Sequence, residues 1–148
     1  MYIESFILTV DPPEVRGGCI SVGDVHEGVF TLNRFPDSIE SGALLEFALD
    51  EDDGPGTYEV QLLLEYSRLE NEPQAPVGDP FTIDAIEPSE DWWGPRLLVP
   101  QRLALRLRFW GEFEGYLVVS VNGQELAEKA LRVYYNDIPE HLGPDEPI

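Results

Sequence analysis

Side chains that commonly act as acid–base catalysts or nucleophiles are scarce in this chain. Its histidines are His26 and His141, and its one cysteine is Cys19. A histidine-based triad or metal site would have to be built around His26, because His141 falls in an acidic, proline-rich tail. Cys19 lies within a β pattern, which is typical of a small buried apolar side chain rather than an activated thiolate. We therefore predict no catalytic residue, and we expect His26 at the end of a strand, facing solvent or a neighbouring carboxylate.

Carboxylates are abundant, but their spacing predicts no metal site. Asp50, Asp52 and Gly54 reproduce a fragment of a calcium-binding loop, in which several carboxylate oxygens surround a hard cation. The later glutamate and the remaining ligands of such a loop are missing, so the segment is more typical of a solvated hairpin loop. The sequence also contains no glycine-rich phosphate loop, no Gly-x-Ser-x-Gly elbow and no paired-cysteine motif. We predict a non-enzymatic protein with no metal and no cofactor.

A row of arginines is the most informative polar feature. Four of only nine basic residues are Arg96, Arg102, Arg106 and Arg108. Alternation with leucine through 102–109 predicts a strand whose arginines share one solvent-facing side. The structural interpretation, which we favour, pairs them with Glu59, Glu65 or other carboxylates on neighbouring strands, each pair contributing about 0.2 to 1 kcal/mol. The functional alternative is a patch that binds anions or carboxylates, for which the planar guanidinium is well suited.

Two adjacent tryptophans, Trp92 and Trp93, lie in a long irregular stretch. Adjacent residues of an extended segment point to opposite sides, so both cannot face the same core. The pair is interpreted either as a plug over one end of the domain or as an anchor of a protein interface. Stacking on sugar rings is a further alternative. Together with Arg102, Arg106 and Arg108, these tryptophans are the predicted partner-binding residues.

The charge of the chain limits its partners. Asp and Glu outnumber Lys and Arg by 29 to 9, and the formal net charge is -20. Such a charge repels nucleic acids and anionic membranes at long range, so we predict no direct binding to either. The acidic surface is interpreted as solubilising, with a docking face for a basic partner or a mimic of nucleic acid as the alternatives.

The N-terminal segment and the cysteine content predict a cytoplasmic location. Residues 1–5 contain no basic side chain and include an acid where a signal peptide would be apolar. No apolar run in the sequence reaches the length needed to cross a membrane. A single cysteine excludes an intramolecular disulfide, so a reducing compartment fits best.

Alternating side chains and turn residues predict an all-β domain. The clearest alternation is at 58–66, where aromatic and aliphatic residues alternate with Glu59, Gln61 and Glu65. Further strands are predicted at 3–10, 19–26, 29–35, 43–49, 81–86 and 102–109. Gly23 marks an expected bulge or close backbone approach, and an irregular stretch is expected to run through Pro100.

The closing hairpin carries the most specific turn signal. Asn122-Gly123 supplies positive φ at both central positions of a type I′ turn, between strands predicted at 116–121 and 124–134. Leu126 and Leu131 differ in parity, so the return strand needs a bulge near Glu128 or must be buried on both sides.

Many short strands without a helical period predict the fold class. About eight antiparallel strands indicate a single β-sandwich over residues 1–136, with a β-barrel as the alternative. Residues 137–148 are predicted to be a flexible, acidic, proline-rich tail.

A set of short segments also carries a family resemblance. They are Ile3-Glu4-Ser5-Phe6-Ile7-Leu8, the Gly-Gly turn before Cys19-Ile20-Ser21-Val22-Gly23, Phe35-Pro36, Pro100-Gln101-Arg102 and Val121-Asn122-Gly123-Gln124-Glu125-Leu126-Ala127. Their order over residues 2–134 resembles a family of small uncharacterised bacterial all-β proteins, catalogued as a domain of unknown function. The resemblance implies a compact β-sandwich and supplies no activity or functional residue. The Trp92-Trp93 loop and the acidic tail depart from the family pattern, which leaves open whether any shared partner is retained.

Protein interaction is the leading functional hypothesis. The sequence favours a non-enzymatic interaction or assembly protein that binds a protein partner through sandwich loops and an acidic surface. One alternative is a carbohydrate- or small-ligand-binding module that uses Trp92 and Trp93. Another is an acidic nucleic-acid mimic that binds a basic protein. The sequence leaves open the identity of the partner, the formation of a homo-oligomer, and a bacterial or phage origin.

Overall fold

The computed structural model describes residues 1–50, 53–66, 75–85 and 96–136. This part of the chain is all-β, as predicted, and no helix long and apolar enough to cross a membrane occurs in it. Its strands are β1 (Tyr2–Thr9), β2 (Glu14–Arg16), β3 (Cys19–Ser21), β4 (Val29–Leu32), β5 (Asp37–Asp50), β6 (Gly56–Tyr66), β7 (Ala75–Pro76), β8 (Phe81–Ala85), β9 (Arg96–Phe109), β10 (Phe113–Val121) and β11 (Gln124–Tyr135). Trp92, Trp93 and the predicted tail lie outside the described residues.

The strands form three sheets. The small sheet has the antiparallel order β1-β5-β9. The large sheet has the order β4-β11-β10-β6-β7, and β8 also pairs with β6. β2 and β3 form a separate hairpin around the predicted turn at Gly17 and Gly18, which both have positive φ. Within the described ranges none of these sheets closes into a barrel, so the barrel alternative was wrong.

One strand pair of the large sheet is parallel. β4 runs in the same direction as β11, with Val29 opposite Arg132 and Leu32 opposite Tyr135. The other pairs of this sheet are antiparallel. The sheet is therefore mixed, and the prediction of a fully antiparallel domain was wrong for this pair.

Apolar side chains of the small and large sheets share one hydrophobic cluster. Among its members from the small sheet, the large side chains with at most 1% exposure are Leu8, Leu45, Phe47 and Leu107. Members from the large sheet that are fully buried are Val60, Leu117, Val119, Leu131 and Val133. Burying one such side chain contributes roughly 1.5 to 3 kcal/mol. This shared burial fixes which side of β9 faces inward and which side faces solvent.

The longest ladder joins β5 to β9. It runs without interruption from Asp37 opposite Phe109 to Asp50 opposite Arg96. The sequence predicted only 43–49 and 102–109, so the irregular stretch expected through Pro100 was wrong for residues 96–100. Proline lacks a backbone donor and is tolerated in a strand at the edge of a sheet. β9 occupies such an edge, which is why the strand continues through Pro100.

A close backbone approach does occur at a glycine, but not at the predicted one. No atom lies within 4 Å of a Cβ built on Gly23, and the strand predicted at 19–26 ends with β3. At Gly42, by contrast, a Cβ would overlap Thr9 Oγ1 and lie 2.5 Å from the carbonyl oxygen of Asp11. Only glycine allows the chain after β1 to cross this close over β5.

The closing hairpin matches its prediction. Asn122 has φ 49° and Gly123 has φ 83°, which is the positive pair that a type I′ turn requires. The β10–β11 register shifts between Val119 and Ser120, at the point where Leu126 is the extra residue of the opposite strand. The predicted bulge is therefore confirmed close to its expected position.

Candidate functional site

Three members of the predicted arginine row lie on the solvent-facing side of β9, and the side chain of the fourth, Arg96, lies outside what the structure describes. Arg102, Arg106 and Arg108 are exposed, whereas Leu105 and Leu107 between them are buried. Because β5 holds β9 along its full length, the row is carried by a rigid, paired strand rather than by a loop. The predicted exposure is thus confirmed for Arg102, Arg106 and Arg108.

The carboxylates predicted to pair with these arginines lie in a different sheet. Glu59 and Glu65 lie on β6, which belongs to the large sheet, whereas β9 pairs with β5 of the small sheet. The cross-strand neighbour of Arg106 is Glu40, and that of Arg108 is Ser38. These neighbours form no ion pair with the row. Within the described residues the ion pairs within 4.0 Å are Met1 amine–Asp53, Arg16–Glu14 and Arg34–Asp37. The three guanidinium groups therefore have no carboxylate partner in this part of the chain, and the predicted pairing with Glu59 and Glu65 was wrong for them.

Trp110 extends the row beyond the end of β9. It lies in the turn between β9 and β10 and is 71% exposed. The guanidinium carbon of Arg108 is 4.8 Å from the centroid of the Trp110 ring. A cation–π contact at such an exposed site contributes about 0.5 to 1 kcal/mol. It holds a large aromatic ring and a cation together on the surface.

The alternation of β9 contained a signal for Trp110 that the sequence prediction did not use. Trp110 has the same parity as Arg106 and Arg108, so continuing the alternation by one step places all three on one face. The sequence prediction named Trp92 and Trp93 instead. The placement of those two tryptophans lies outside the described residues.

A further aromatic residue, Tyr135, is hydrogen-bonded to the turn that carries Trp110. The Glu112 carboxylate in this turn accepts a hydrogen bond from the backbone N–H of Tyr135 at 3.1 Å. Tyr135 is 53% exposed, and its ring centroid is 6.4 Å from that of Phe35. We call the surface formed by Arg108, Trp110 and Tyr135 the Trp110 corner. Trp, Tyr and Arg are the residue types most enriched among the energetic centres of protein interfaces.

A shallow cleft lies at the same end of the molecule. Its volume is about 370 Å³, and its lining residues are Thr31, Leu32, Asn33, Arg34 and Asp37. Asp37 stands opposite Phe109, the residue before Trp110. Sites for small molecules are mostly apolar and enclosed, whereas this lining is mainly polar and includes the exposed Arg34–Asp37 ion pair, with a distance of 3.6 Å between Nε and Oδ2. The cleft gives no specific support to a small-ligand site.

His26 takes part in a hydrogen-bonded chain beside β5. Its Nε2 lies 2.9 Å from Ser41 Oγ, and its Nδ1 accepts a hydrogen bond from the Gly28 N–H at 3.2 Å. Because Nδ1 is an acceptor, the proton of the neutral ring is on Nε2, which donates to Ser41. The Ser41 hydroxyl in turn donates to the carbonyl of Thr9 or Gly42, at 3.1 or 3.0 Å.

This arrangement holds His26 in place without activating Ser41. A general base has to present an unprotonated nitrogen to the hydroxyl, and here the protonated nitrogen faces it. Burial lowers the pKa of His26 from 6.5, and the positive charge of Lys129 lowers it further, against a smaller opposing effect of the Thr9 backbone. The partner of His26 is thus a buried serine rather than the solvent or carboxylate that the sequence suggested.

The remaining candidate residues are Cys19 and the aspartates of the calcium-loop fragment. Cys19 is exposed, so the prediction of a buried thiol was wrong; its β2–β3 hairpin lies apart from the two main sheets. Asp52 and the side chain of Asp50 lie outside what the structure describes. In the described ranges, no group of three His, Cys, Asp or Glu side chains is placed to hold a metal ion.

No protein-family model matches the sequence, and no curated protein matches it either. The resemblance to a family of small bacterial all-β proteins therefore stays a prediction.

Proposed function

We propose that this chain is a non-enzymatic interaction or assembly protein that binds a protein partner through the Trp110 corner. The observation that carries the proposal is the 71% exposure of Trp110 together with its contact to Arg108. A tryptophan ring offers a large apolar area for a partner to bury, and the fixed guanidinium beside it can bond a carboxylate or a carbonyl group. Both side chains are preorganised by the same strand and turn, which lowers the entropy lost on binding.

The architecture that we propose for this function is a β-sandwich with the small and large sheets as its layers. Their shared hydrophobic cluster supports this arrangement. In a sandwich the inner faces are used by the core, so the edges, the outer faces and the turns are left for recognition. The net charge of -20 disfavours nucleic acid and anionic membranes as partners, and we propose a cytoplasmic protein as the ligand.

Affinity capture from the native host tests this proposal. Tagged wild type, Trp110→Ala and Val15→Ala would be compared, with the captured proteins identified by mass spectrometry. Val15 is 53% exposed on the separate β2–β3 hairpin, so Val15→Ala controls for the loss of any exposed apolar side chain. We expect the same discrete partner with wild type and Val15→Ala, and its loss with Trp110→Ala.

Circular dichroism would verify that each variant is folded, as expected for side chains that face solvent. Retention of the partner by Trp110→Ala would refute the role of the corner. Release of the partner by added DNA, with no effect of Trp110→Ala, would instead favour the nucleic-acid mimic. A change of tryptophan fluorescence on adding glycans would favour the carbohydrate-binding alternative.

A further inference from the structure

β9 is a long strand at the edge of a sheet. It spans 14 residues, and within the described part of the chain it is hydrogen-bonded to β5 alone. Its other edge therefore presents backbone N–H and C=O groups to which an additional strand can bond. This edge is the longest among the outer strands of the small and large sheets in that part of the chain.

Pro100 indicates which backbone groups point outward from this edge. In an antiparallel ladder the N–H and C=O of one residue point to the same side, and successive residues alternate. Proline has no N–H to give to β5, so we expect its nitrogen to face the free edge. By the same alternation the outward-facing residues after it are Arg102, Ala104, Arg106 and Arg108. Their side chains are all exposed on the arginine face.

A strand added here would place its side chains beside the arginine row. Residues that stand directly opposite each other in a sheet share a face, with Cβ atoms about 4.5 to 5.5 Å apart. Acidic side chains opposite Arg102, Arg106 and Arg108 would meet guanidinium groups that have no carboxylate partner among the described residues. The alternate side chains of the added strand would lie on the inner side, next to the partly buried Leu103.

We propose that β9 binds an extended acidic segment of a partner protein as an additional strand, with carboxylates at alternate positions facing Arg102, Arg106 and Arg108 and apolar residues between them. Charge complementarity selects this occupant, because the row is a local positive feature in a chain with a net charge of -20. The net charge disfavours polyanions such as nucleic acid, whereas a short peptide contributes only a few charges. The inference rests on the proposed interaction function and names the chemistry of the partner.

Charged side chains on an edge strand also prevent indiscriminate pairing with other strands. If preventing unwanted strand pairing were the only role of the arginines, the order of residues in an acidic peptide would not affect its affinity. The proposal requires a dependence on the order of residues in the peptide, because only alternation places every carboxylate on the arginine face.

The test uses a fluorescently labelled nine-residue peptide, blocked at both ends, with aspartate at every second position and valine between. The matched control peptide has the same composition, with its aspartates grouped at one end. Fluorescence anisotropy would measure the binding of each to the full chain. We expect wild type to bind the alternating peptide at least tenfold more tightly than the control peptide. We also expect the double variant Arg102→Gln/Arg106→Gln to bind the alternating peptide at least tenfold more weakly than wild type does.

The backbone contribution is tested separately. Ala104→Pro removes one outward N–H while leaving the ladder to β5 intact, and we expect it to weaken binding of the alternating peptide. If Ala104→Pro fails to fold, hydrogen exchange of the wild type gives the same information. The amide protons of Arg102, Ala104, Arg106 and Arg108 should then exchange more slowly when the peptide is bound.

Each failure has a distinct meaning. Absence of peptide binding up to about 1 mM, or equal binding of both peptides, would overturn the strand-addition proposal. The interaction function would survive that result if Trp110→Ala still abolished capture of the host partner. The double arginine variant leaves Arg108 and Trp110 unchanged, so its effect reports on the β9 edge and not on the Trp110 corner.

Discussion

Gly42→Ala tests the close approach of the chain after β1 to β5. An added Cβ would lie 2.5 Å from the carbonyl oxygen of Asp11 and 2.6 Å from Pro12 Cα, and it would overlap Thr9 Oγ1. Two of these three neighbours are backbone atoms, which cannot rotate away. The segment from Thr9 to Pro12 would therefore have to move by roughly 1 Å to restore ordinary van der Waals contact.

That movement would disturb three hydrogen bonds. Thr9 Oγ1 donates to the Asp11 carbonyl at 2.5 Å, and the Ser41 hydroxyl, which donates to the Thr9 or the Gly42 carbonyl, lies 3.1 Å from the Thr9 carbonyl oxygen. The Val10 N–H donates to the Asp24 carbonyl at 2.8 Å. At about 1 kcal/mol net for each bond, we expect a loss of about 3 kcal/mol in the free energy of unfolding. For a chain of this length such a loss lowers Tm by roughly 6 to 12 °C.

Urea and thermal unfolding, followed by circular dichroism, would measure both quantities. Gly23→Ala is the matched control, because a Cβ there has no atom within 4 Å. We expect the control to be as stable as the wild type, or more stable by up to about 1 kcal/mol because the unfolded chain loses entropy. Equal stability of Gly42→Ala and Gly23→Ala would show that the chain after β1 does not cross β5 as described.

Three further predictions follow from burial, charge and backbone conformation. In urea unfolding, Leu107→Ala should lower the free energy of unfolding by about 2 to 5 kcal/mol, and Arg106→Ala by less than about 0.5 kcal/mol. Equal losses for the two variants would contradict the assignment of the buried and exposed faces of β9. Because the folded-state pKa of His26 lies below 6.5, its stabilising effect is complete above that pH and is lost as the pH falls through 6.5 toward the folded pKa. Acidification should therefore destabilise the wild type more than His26→Gln, and an NMR titration midpoint of His26 at or above 6.5 would refute this. Gly123→Ala, at φ 83°, should cost about 1 to 2 kcal/mol in thermal unfolding, whereas Gly111→Ala, which has open space and no positive φ, should not.

Local signals in the sequence predicted local structure well. The alternation at 58–66 lies within β6, and Asn122-Gly123 forms the turn that its residue types require. Both signals depend on neighbours along the chain, because side-chain parity and positive φ are decided within a few residues. Arg102, Arg106 and Arg108 were placed on the correct side of β9 for the same reason.

Non-local relations were not predictable in the same way. Alternation indicates which side of a strand is buried but not which strand lies beside it. Glu59 and Glu65 were therefore predicted beside the arginines of β9, although β6 and β9 belong to different sheets. The parallel pairing of β4 with β11 and the close approach at Gly42 likewise join segments far apart in sequence. The prediction for Cys19 was wrong for a related reason: its alternation is that of a strand, but its hairpin does not join the main sheets.

The energies of burial and of surface ion pairs explain why Arg102, Arg106 and Arg108 have no carboxylate partner among the described residues. An exposed ion pair contributes about 0 to 1 kcal/mol, whereas one buried leucine contributes roughly 1.5 to 3 kcal/mol. Leu105 and Leu107 therefore determine where β9 packs, and this packing decides which residues lie beside Arg102, Arg106 and Arg108. In a chain with 29 acidic residues this outcome is informative, because carboxylates are plentiful and yet none within the described residues comes within 4.0 Å of the row. Among the described residues, Arg102, Arg106 and Arg108 are therefore the cations that the acidic segment we propose would meet.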